Sequence, residues 1–274
     1  MSTDATSVIR LEYRNVTMRF ADRTGRGALT AISNVNLAVH DGEVVSLIGP
    51  SGCGKSTLLN IGSGLTAPSE GAAFVDGERV AGPNAHVAFM LQKDLLLPWR
   101  TILENVMFGV EIQSVPFAER KRRAEKLLAS FNLAEFSGHY PHHLSGGMRQ
   151  RVALARTLAV EPHVLLLDEP FSAVDAQTRM VLQRDLARTL KQSGKTALLI
   201  THDLSEAVTL SDRVLVMSHR PGTVIDEIVI DLPQRDDPIA RRHEPKLNDY
   251  VARLMDRLDI GHDKIEQQAA GGAA

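Results

Sequence analysis

Residues 49–57, which read GPSGCGKST, constrain this chain more than any other segment. Glycines at three of the first six positions allow the backbone to curl until several N–H groups point toward one centre. An apolar run, Val44 to Ile48, precedes the segment, and a helical pattern starts near Lys55. The amino end of that helix adds partial positive charge to the curl. The segment therefore predicts a loop, between a buried strand and a helix, that cradles phosphate groups.

The polar side chains of this loop predict the rest of a nucleoside triphosphate site. Lys55 can place its ammonium beside the β- and γ-phosphates, and the Ser56 hydroxyl is a suitable ligand for Mg²⁺. We interpret Cys53 as a small residue at a variable position rather than as a redox switch. We expect ATP to contact the whole loop, namely Gly49, Pro50, Ser51, Gly52, Cys53, Gly54, Lys55, Ser56 and Thr57.

Two other buried runs end in polar residues that suit phosphate chemistry. Val164 to Leu167 is followed by Asp168 and Glu169, and Thr196 to Ile200 is followed closely by His202. Open α/β sheets place their active-site groups at the carboxyl ends of the strands. We therefore expect Asp168 to hold Mg²⁺ through its water shell and Glu169 to accept a proton from the attacking water. His202, at the same edge, can hydrogen-bond a γ-phosphate.

The apolar pattern predicts an α/β fold with two kinds of sheet. Ile9 to Phe20 alternates, with a change of parity at Arg14-Asn15 that indicates a bulge between antiparallel strand pieces. The region from about 95 to 160 is helical, and Thr101 with Glu104 predicts a capping box. Continuous runs are typical of parallel strands buried on both faces, and four are present: Val44 to Ile48, Val164 to Leu167, Thr196 to Ile200 and Val214 to Met217.

Composition argues against several classes of function. The 274 residues carry a formal net charge of -2, which gives no electrostatic basis for binding nucleic acid. The one cysteine cannot form an intrachain disulfide and fits a reducing compartment. No run approaches the roughly 18 apolar residues of a membrane helix, and the N-terminus lacks the basic and apolar regions of a signal peptide. We therefore expect a cytoplasmic chain that reaches a membrane only through a partner.

Further motifs carry a family resemblance. LSGGMRQ at residues 144–150, Gln92 after the predicted strand VAFM, SAVD at residues 172–175 and His202 complete a set with the phosphate loop and the two acids. In composition and order, this set resembles the motifs of ABC transporter ATP-binding subunits. The resemblance covers about residues 9–232.

The resemblance implies a fold, cofactors and site residues. The fold is that of an ABC-type P-loop NTPase, with a RecA-like mixed-sheet core, an antiparallel β subdomain and a helical subdomain. ATP and Mg²⁺ are the implied cofactors. Phe20 is the implied aromatic that stacks on adenine, with Tyr13 as the alternative. The implied catalytic residues are Lys55, Gln92, Glu169 and His202, the implied metal ligands are Ser56, Gln92 and Asp168, and the further nucleotide contacts are Ser145, Gly146, Gly147 and Asp175.

We predict a single ABC ATPase domain over residues 1–262. Within it we expect a core with its β subdomain, a helical subdomain and a C-terminal helical extension. The predicted boundaries are 9–93 and 161–232 for the core, 94–160 for the helical subdomain, 233–262 for the extension and 263–274 for a disordered tail.

The resemblance also implies partners. Ser145-Gly146-Gly147 opens a predicted helix, Met148 to Ala159, whose free N–H groups form a second anion site. In the family this segment caps the γ-phosphate held by another subunit, which implies a two-fold homodimer. Two integral-membrane permease subunits would dock near Gln92 and residues 95–100, LLLPWR, unless Trp99 and its leucines belong to the core. The resemblance also implies a periplasmic or lipid-anchored solute-binding protein as an indirect partner, and a peripheral location on the cytoplasmic face of the cell membrane.

Three longer strings narrow the resemblance to one group. FMLQKDLLLPWRTILENV, LSGGMRQRVALARTL and VMSHRPGTV resemble the nitrate, sulfonate and taurine importers, a group that also includes importers of pyrimidine precursors. We therefore expect uptake of a small solute, with an oxyanion favoured. The alternative is a soluble ABC ATPase of assembly or repair. The absence of a second ATPase unit, of zinc cysteines, of a basic arm and of a coiled-coil insertion argues against it.

Overall fold

The computed structural model describes residues 8–21, 28–172 and 174–258, so the predicted tail at 263–274 lies outside the described residues. The described strands are β1 (Ile9–Ala21), β2 (Ala28–His40), β3 (Val44–Ile48), β4 (Glu70–Val75), β5 (Glu78–Arg79), β6 (Val87–Met90), β7 (Val164–Asp168), β8 (Thr196–Ile200), β9 (Arg213–Met217) and β10 (Val224–Val229). The described helices are α1 (Lys55–Gly62), α2 (Ile102–Ile112), α3 (Phe117–Ser130), α4 (Gly146–Ala159), α5 (Ala176–Ser193), α6 (Leu204–Leu210), α7 (Pro238–Arg241) and α8 (Leu247–Arg257), with short 3₁₀ turns at Ala134–Phe136 and Pro141–His143.

Six strands form a mixed sheet in the order β10-β9-β3-β8-β7-β6. Neighbouring strands from β9 to β6 are parallel, whereas β10 runs antiparallel to β9. β3 and β8 are buried along their whole length, as expected for strands that helices cover on both faces. The four continuous apolar runs are thus confirmed as central strands of one sheet. Their carboxyl ends share one edge, and that edge holds the site described below.

The N-terminal residues form a second, antiparallel sheet in the order β2-β1-β4-β5. The register of β1 against β2 shifts between Tyr13 and Val16, and Asn15 there has a left-handed φ of 51°. An extra residue at such a point turns the following side chains to the other face. The bulge predicted from the change of parity is therefore confirmed. It allows both Tyr13 and Val16 to be buried.

Helices α2, α3 and α4 pack together beside the six-stranded sheet and share an apolar core with it. The predicted capping box begins α2. The Thr101 hydroxyl accepts a hydrogen bond from the Glu104 N–H, and the Thr101 N–H donates to the Glu104 carboxylate. In α3, one face is apolar and largely buried, with Ala124 and Leu128 inside the core and Phe131 just beyond the helix end.

The basic start of α3 forms ion pairs at the surface. Arg122 and Arg123 each lie 2.7 Å from Glu119, and Lys121 lies 3.7 Å from Glu125. The mixture of charges therefore makes a solvated helix face.

The C-terminal helix folds back onto the six-stranded sheet. α8 packs against α6, and Leu247 and Leu254 of α8 are buried in a cluster that includes Ile48 and Val208. Across the described parts of the chain, none of the helices combines the length and the apolar character needed to cross a membrane.

Candidate nucleotide-binding site

The glycine-rich loop turns sharply between β3 and α1. Gly52 and Gly54 have φ values of 75° and 107°, a region that side chains rarely adopt. A Cβ atom at Gly54 would lie 2.3 Å from the Ile32 side chain, so no larger residue fits between the loop and β2. Gly54 is the N-cap of α1, which begins at Lys55 as predicted. The amide groups of the first helical turn are thereby directed at the loop.

Lys55 is held inside this loop. Its Nζ atom donates hydrogen bonds to the carbonyl oxygens of Gly49, at 2.8 Å, and Pro50, at 2.9 Å. The lysine is nearly buried, and Cys53, next to it, is fully buried. A cation fixed at this point is available to phosphate oxygens without a large movement of the backbone. Cys53 packs as a small apolar residue.

A cavity of about 300 Å³ opens beside the loop. Phe20, Leu29 and Glu169 all line this cavity. Its remaining lining residues are Ala31, Ser51, Gly52, Gly54, Lys55, Ser56, Thr57 and Arg220. Phe20 is partly exposed, whereas Tyr13 is buried and its hydroxyl donates a 2.8 Å hydrogen bond to the Leu58 carbonyl. Of the two aromatics that the sequence leaves open, Phe20 is therefore the one beside the loop.

Arg220 is a lining residue that the sequence argument does not single out. Its guanidinium donates two hydrogen bonds to the Gly52 carbonyl, at 2.7 and 3.1 Å, across 168 positions of sequence. It lies within VMSHRPGTV, the string that contributes to the importer resemblance. The resemblance of this string to the importers marks the region as functional, but it does not identify which of its residues contacts the loop.

Ser56 and Asp168 meet at the start of α1 and the end of β7. Burial raises the pKa of Asp168, and a hydrogen bond with Ser56 opposes that rise. The nearby Glu169 carboxylate raises the same pKa further, and Lys55 lowers it. A hydroxyl and a carboxylate are hard oxygen donors, so this pair fits Mg²⁺ chemically. A divalent cation there would also relieve the electrostatic cost of the buried acid.

Gln92, Glu169 and His202 converge at the carboxyl ends of β6, β7 and β8. Gln92 Nε2 lies 3.2 Å from Glu169 Oε2, and His202 Nδ1 lies 3.3 Å from the same oxygen. Glu169 has a left-handed φ of 46°, and its N–H donates to the Ile200 carbonyl. Such a backbone is unusual for a residue with a side chain and recurs at functional sites. The Glu169 side chain lines the loop cavity.

Ser145, Gly146 and Gly147 lie elsewhere on the surface. Ser145 is the N-cap of α4, and its hydroxyl accepts a 3.3 Å hydrogen bond from the Met148 N–H. The helix begins at Gly146, two residues earlier than predicted, because the serine cap sets its start. Ser145 and Gly146 are exposed and are not part of the lining of the loop cavity.

Asp175 also acts as a helix cap in this structure. Its side chain accepts a hydrogen bond from the Thr178 N–H at the start of α5, and hydrogen bonds with Thr178 lower the pKa of Asp175. Thr178 also lies close to the LSGGMRQ segment, since a Cβ atom at Gly147 would lie 2.2 Å from the Thr178 methyl group. Asp175 is therefore near the LSGGMRQ segment.

Comparison with known proteins decides the family. The sequence model of the family described as "ABC transporter" matches residues 32–172, which is just over half of the 274 residues. The chain belongs to the ABC transporter family. The match includes the glycine-rich loop, Gln92, the LSGGMRQ segment and the two acids at the carboxyl end of β7.

Relatives of this ABC protein cover most of its length. The taurine import ATP-binding protein of Burkholderia pseudomallei (strain K96243) is 41% identical over 253 residues, which is 91% of this chain and 96% of that protein. The nitrate import ATP-binding protein of Synechocystis sp. is 46% identical over 234 residues, which is 85% of this chain and 88% of that protein.

A solved structure supports the same assignment. It is a dimeric, post-hydrolysis ATP-binding cassette bound to ADP and Pi, and it matches with a TM-score of 0.72 at 33% identity over 81% of this chain and 99% of that one. The fold is therefore the α/β P-loop NTPase architecture of ABC ATPases, and the chain is an ATP-binding ABC ATPase subunit.

The ABC subunit exposes apolar side chains just after Gln92. Leu95 is 53% exposed and Trp99 is 71% exposed, whereas Leu96 is buried. The alternative prediction, that Trp99 and its neighbouring leucines belong to the hydrophobic core, is thus correct for Leu96 and wrong for Trp99. Asn105 fixes the segment, because its side chain accepts from the Leu97 N–H and donates to the Leu97 carbonyl.

Proposed function

We propose that this subunit hydrolyses Mg-ATP within a homodimer and thereby drives uptake of a small oxyanion through two permease subunits. The observation that carries the proposal is the convergence of Gln92 and His202 on one carboxylate oxygen of Glu169. Glu169 also lines the cavity beside the phosphate loop. A carboxylate in that position can accept a proton from water as the water attacks a phosphate in the loop.

Nucleotide binding is assigned to the loop and to Phe20. The adenine stacks on Phe20, and the loop amides with the amino end of α1 surround the β-phosphate. Lys55 turns from the loop carbonyls toward the β- and γ-phosphates, where it neutralises charge that grows during transfer. This assignment is supported by Phe20 and Lys55, which line the same cavity.

Ser56, Asp168 and Gln92 are assigned to the metal. The first two are hard oxygen donors already in contact, and the Gln92 amide oxygen is a third donor of the same kind. Mg²⁺ bound there supplies charge neutralisation to the phosphates. His202 is assigned to the γ-phosphate, and its contact with Glu169 holds the catalytic carboxylate in place.

The second half of each site is assigned to another copy of the chain. Ser145 and Gly146 are exposed at the amino end of a 14-residue helix, which is a favourable place for an anion, yet the loop cavity of the same chain is lined by other residues. A two-fold dimer brings this helix end over the γ-phosphate of the partner and brings Asp175 to the same interface. ATP then stabilises the dimer, and its hydrolysis releases it.

The permease surface is assigned to the segment after Gln92. Exposed apolar and aromatic residues are typical of binding surfaces, and Leu91, Leu95 and Trp99 are all exposed within this short stretch of chain. Docking there would place the subunit peripherally on the cytoplasmic face of the membrane. Gln92 belongs to the same stretch of chain and contacts Glu169, so movement of the docked partner can reach the catalytic carboxylate.

The solute is proposed from the relatives alone, because the ATPase subunit does not touch it. Two of them are import proteins for taurine and for nitrate. Both solutes are small and carry negatively charged oxygen atoms. We therefore assign the system to sulfonate-, taurine- or nitrate-like oxyanions.

Affinity capture from native membranes tests the transport assignment. We expect a polytopic membrane protein to co-purify with the wild-type chain and to be lost from a Trp99→Ser variant that still binds ATP. A soluble assembly or repair factor in place of the membrane protein would contradict transport. The solute-binding protein of that permease is then titrated with taurine, an alkanesulfonate, nitrate, a sugar and a metal ion. Tight binding of the sugar or the metal without any oxyanion rejects the solute and leaves the ATPase assignment intact.

A further inference from the structure

Asp76, His86 and His163, named here the Asp76 cluster, come together at the edge of the sheet opposite the nucleotide site. Asp76 lies in the turn between β4 and β5, His86 immediately precedes β6, and His163 immediately precedes β7. The two histidines therefore stand at the amino ends of neighbouring parallel strands, whereas Gln92 and Glu169 follow the carboxyl ends of the same strands.

The two imidazoles face a single carboxylate oxygen. Asp76 Oδ2 lies 2.7 Å from His86 Nδ1 and 2.6 Å from His163 Nδ1. The centres of the two rings are 4.5 Å apart. The other carboxylate oxygen, Oδ1, accepts a 2.7 Å hydrogen bond from Arg10. Two nitrogens and one oxygen thus converge from three separate parts of the chain.

The backbone holds these three residues in place independently of their side chains. The N–H groups of His163 and Val164 both donate to the His86 carbonyl, at 2.9 and 3.0 Å. The Asp76 N–H donates to the Arg10 carbonyl at 3.0 Å, which fixes the turn against β1. The positions of the three side chains therefore follow from strand register and turn geometry, so the cluster is preorganised.

We propose that the Asp76 cluster is a binding site for a divalent first-row transition metal ion of the Zn²⁺ class. Neutral imidazole nitrogens and a carboxylate are ligands that such ions prefer. Each histidine can bind the ion through Nδ1 when its proton is on Nε2, and both rings then remain neutral. Mg²⁺ prefers oxygen ligands, so the ion that accompanies ATP does not compete for this cluster.

The spacing of the three ligand atoms is close to the spacing that a zinc site requires. Ligand atoms of a tetrahedral zinc site lie about 3.3 Å apart, given metal–ligand distances of about 2.0–2.1 Å. The nitrogens must therefore move outward from Asp76 by about 0.6 Å. Such a movement is open to them because His86 and His163 are 51% and 44% exposed in their side chains. The remaining coordination positions face water.

A metal ion can reach the cluster from solvent. The charges around the cluster determine how tightly the ion is expected to bind. His86 lines a cavity of about 350 Å³, and His163 lines another of about 570 Å³. Arg10 orients the carboxylate through Oδ1 but adds a positive charge near the ion. Because only three protein ligands are present and Arg10 repels a cation, we expect the Kd for Zn²⁺ to be micromolar rather than lower. The bound ion would fasten the β4–β5 turn to the six-stranded sheet.

Metal titration of the tag-free, nucleotide-free wild-type chain in phosphate-free buffer tests the proposal. We expect calorimetry to show one equivalent of Zn²⁺ bound per chain, Co²⁺ to develop the visible absorption of a low-symmetry site, and MgCl₂ to give neither signal. Asp76→Asn keeps the size of the side chain and its acceptor oxygen but removes the charge. We expect it and His86→Gln each to weaken Zn²⁺ binding at least tenfold.

Matched controls separate this site from adventitious histidines. His142→Gln removes one of a second pair, whose rings lie 4.0 Å apart, and is expected to leave the Zn²⁺ titration unchanged. Binding of a fluorescent ATP analogue reports whether each variant is folded. Zinc-edge anomalous diffraction from wild-type crystals needs no variant and is expected to show the ion between His86 and His163. Equal Zn²⁺ affinity of wild type and Asp76→Asn, or an anomalous peak elsewhere only, overturns the proposal and leaves the cluster a hydrogen-bonded clamp.

Discussion

The guanidinium of Arg156 on α4 donates a 2.6 Å hydrogen bond to the backbone carbonyl of Asp94, in the segment that leads from Gln92 to Trp99. A second hydrogen bond, 2.8 Å long, runs from Arg156 to the Leu95 carbonyl, and Arg149 pairs with the Asp94 carboxylate at 3.0 Å. Both arginines belong to the helix that begins after Ser145. The proposed docking segment is therefore fastened to the helix whose amino end is proposed to face the ATP of the partner.

Arg156→Ala should weaken the connection between the docking segment and α4. Two charge-assisted hydrogen bonds are lost, each of which contributes about 1.5–3 kcal/mol in favourable cases. We expect solute uptake in reconstituted vesicles to fall by about tenfold or more, while the affinity for an ATP analogue changes by less than about twofold. Arg122→Ala, on the exposed face of α3, is the matched control. Full uptake by Arg156→Ala would show that the two hydrogen bonds do not transmit the motion.

Glu169→Gln should preserve ATP binding and stop hydrolysis. The amide has nearly the shape of the carboxylate but cannot accept a proton, and general-base catalysis contributes about 10²–10⁴-fold to rate. We expect this variant to accumulate as an ATP-bound dimer, measured by size-exclusion chromatography with light scattering. Asp226→Asn, at the distant β10, controls for loss of an acid elsewhere. Normal turnover by Glu169→Gln would assign the base to another residue.

Mixing two inactive variants tests the shared site. Lys55→Ala should reduce turnover more than tenfold because phosphate charge is left unneutralised. Ser145→Arg should also impair hydrolysis, although Ser145 lies away from the loop cavity of its own chain. In a mixed dimer, one site carries both lesions and the other is intact. Half of the dimers are mixed, so an equimolar mixture should regain about a quarter of wild-type activity if the two sites act independently.

A failure of this mixture can be interpreted with a further measurement. If activity stays absent, a crystal structure of the ATP-bound Glu169→Gln dimer decides between obligate coupling of the two sites and a wrong arrangement. Nucleotide contacted by Ser145 of the same chain would reject the shared site.

Phe20→Ala should lower ATP affinity. Stacking of a base on an aromatic side chain contributes about 1–3 kcal/mol, so we expect the Kd for ATP to rise about tenfold and Phe20→Trp to restore it. Tyr13→Phe is the matched control, since it removes a buried hydrogen bond to Leu58 and should cost about 1 kcal/mol of stability without changing the Kd. The reverse outcome, with ATP affinity sensitive to Tyr13 alone, would exclude Phe20.

Tyr13 and Phe20 also show what the sequence pattern can and cannot predict. The alternation of β1 and its change of parity predict a bulge, and the bulge is present. Which aromatic ends beside the loop depends on how β1 packs against α1, which the alternation does not encode. Asp168, Glu169 and His202 were easier to place, because residues after adjacent parallel strands must share an edge.

Contacts between distant segments could not be predicted from the sequence. Arg220 reaches Gly52 across the chain, and the Asp76 cluster joins a turn to the starts of two strands. No local sequence pattern marks these residues, because the contacts arise only when the tertiary fold brings distant segments together. The sequence pattern does not predict β10, for a different reason. It is an antiparallel edge strand with one buried residue, so it lacks the continuous apolar run of the central strands.

Glu206 on α6 gives the protein a predicted pH dependence of stability. Burial raises the pKa of Glu206 from 4.5 to about 7, with a hydrogen bond from Thr201 opposing the rise and the charge of Asp203 adding to it. Its carboxylate also accepts a 2.9 Å hydrogen bond from Gln183. The folded state therefore keeps the proton of this side chain in a range where the unfolded chain has lost it.

The sign of the effect follows from proton linkage. Below about pH 4.5 Glu206 is protonated in both states and imposes no penalty on folding. As the pH rises to about 7, the unfolded state ionises first, so the free energy of unfolding falls. Above that range the full penalty applies, on the order of 3 kcal/mol for a shift of this size.

Glu206→Gln should remove this penalty, because the amide keeps a hydrogen-bond acceptor for Gln183 and does not ionise. Urea unfolding at pH 5, 6, 7 and 8 measures the difference in unfolding free energy between variant and wild type. We expect that difference to increase with pH, in favour of the variant, and to level off near pH 8. Glu135→Gln, on the exposed surface after α3, controls for the substitution itself. A difference that stays constant from pH 5 to 8 would mean that Glu206 ionises alike in the folded and unfolded states, and that the hydrogen bonds from Gln183 and Thr201 offset its burial.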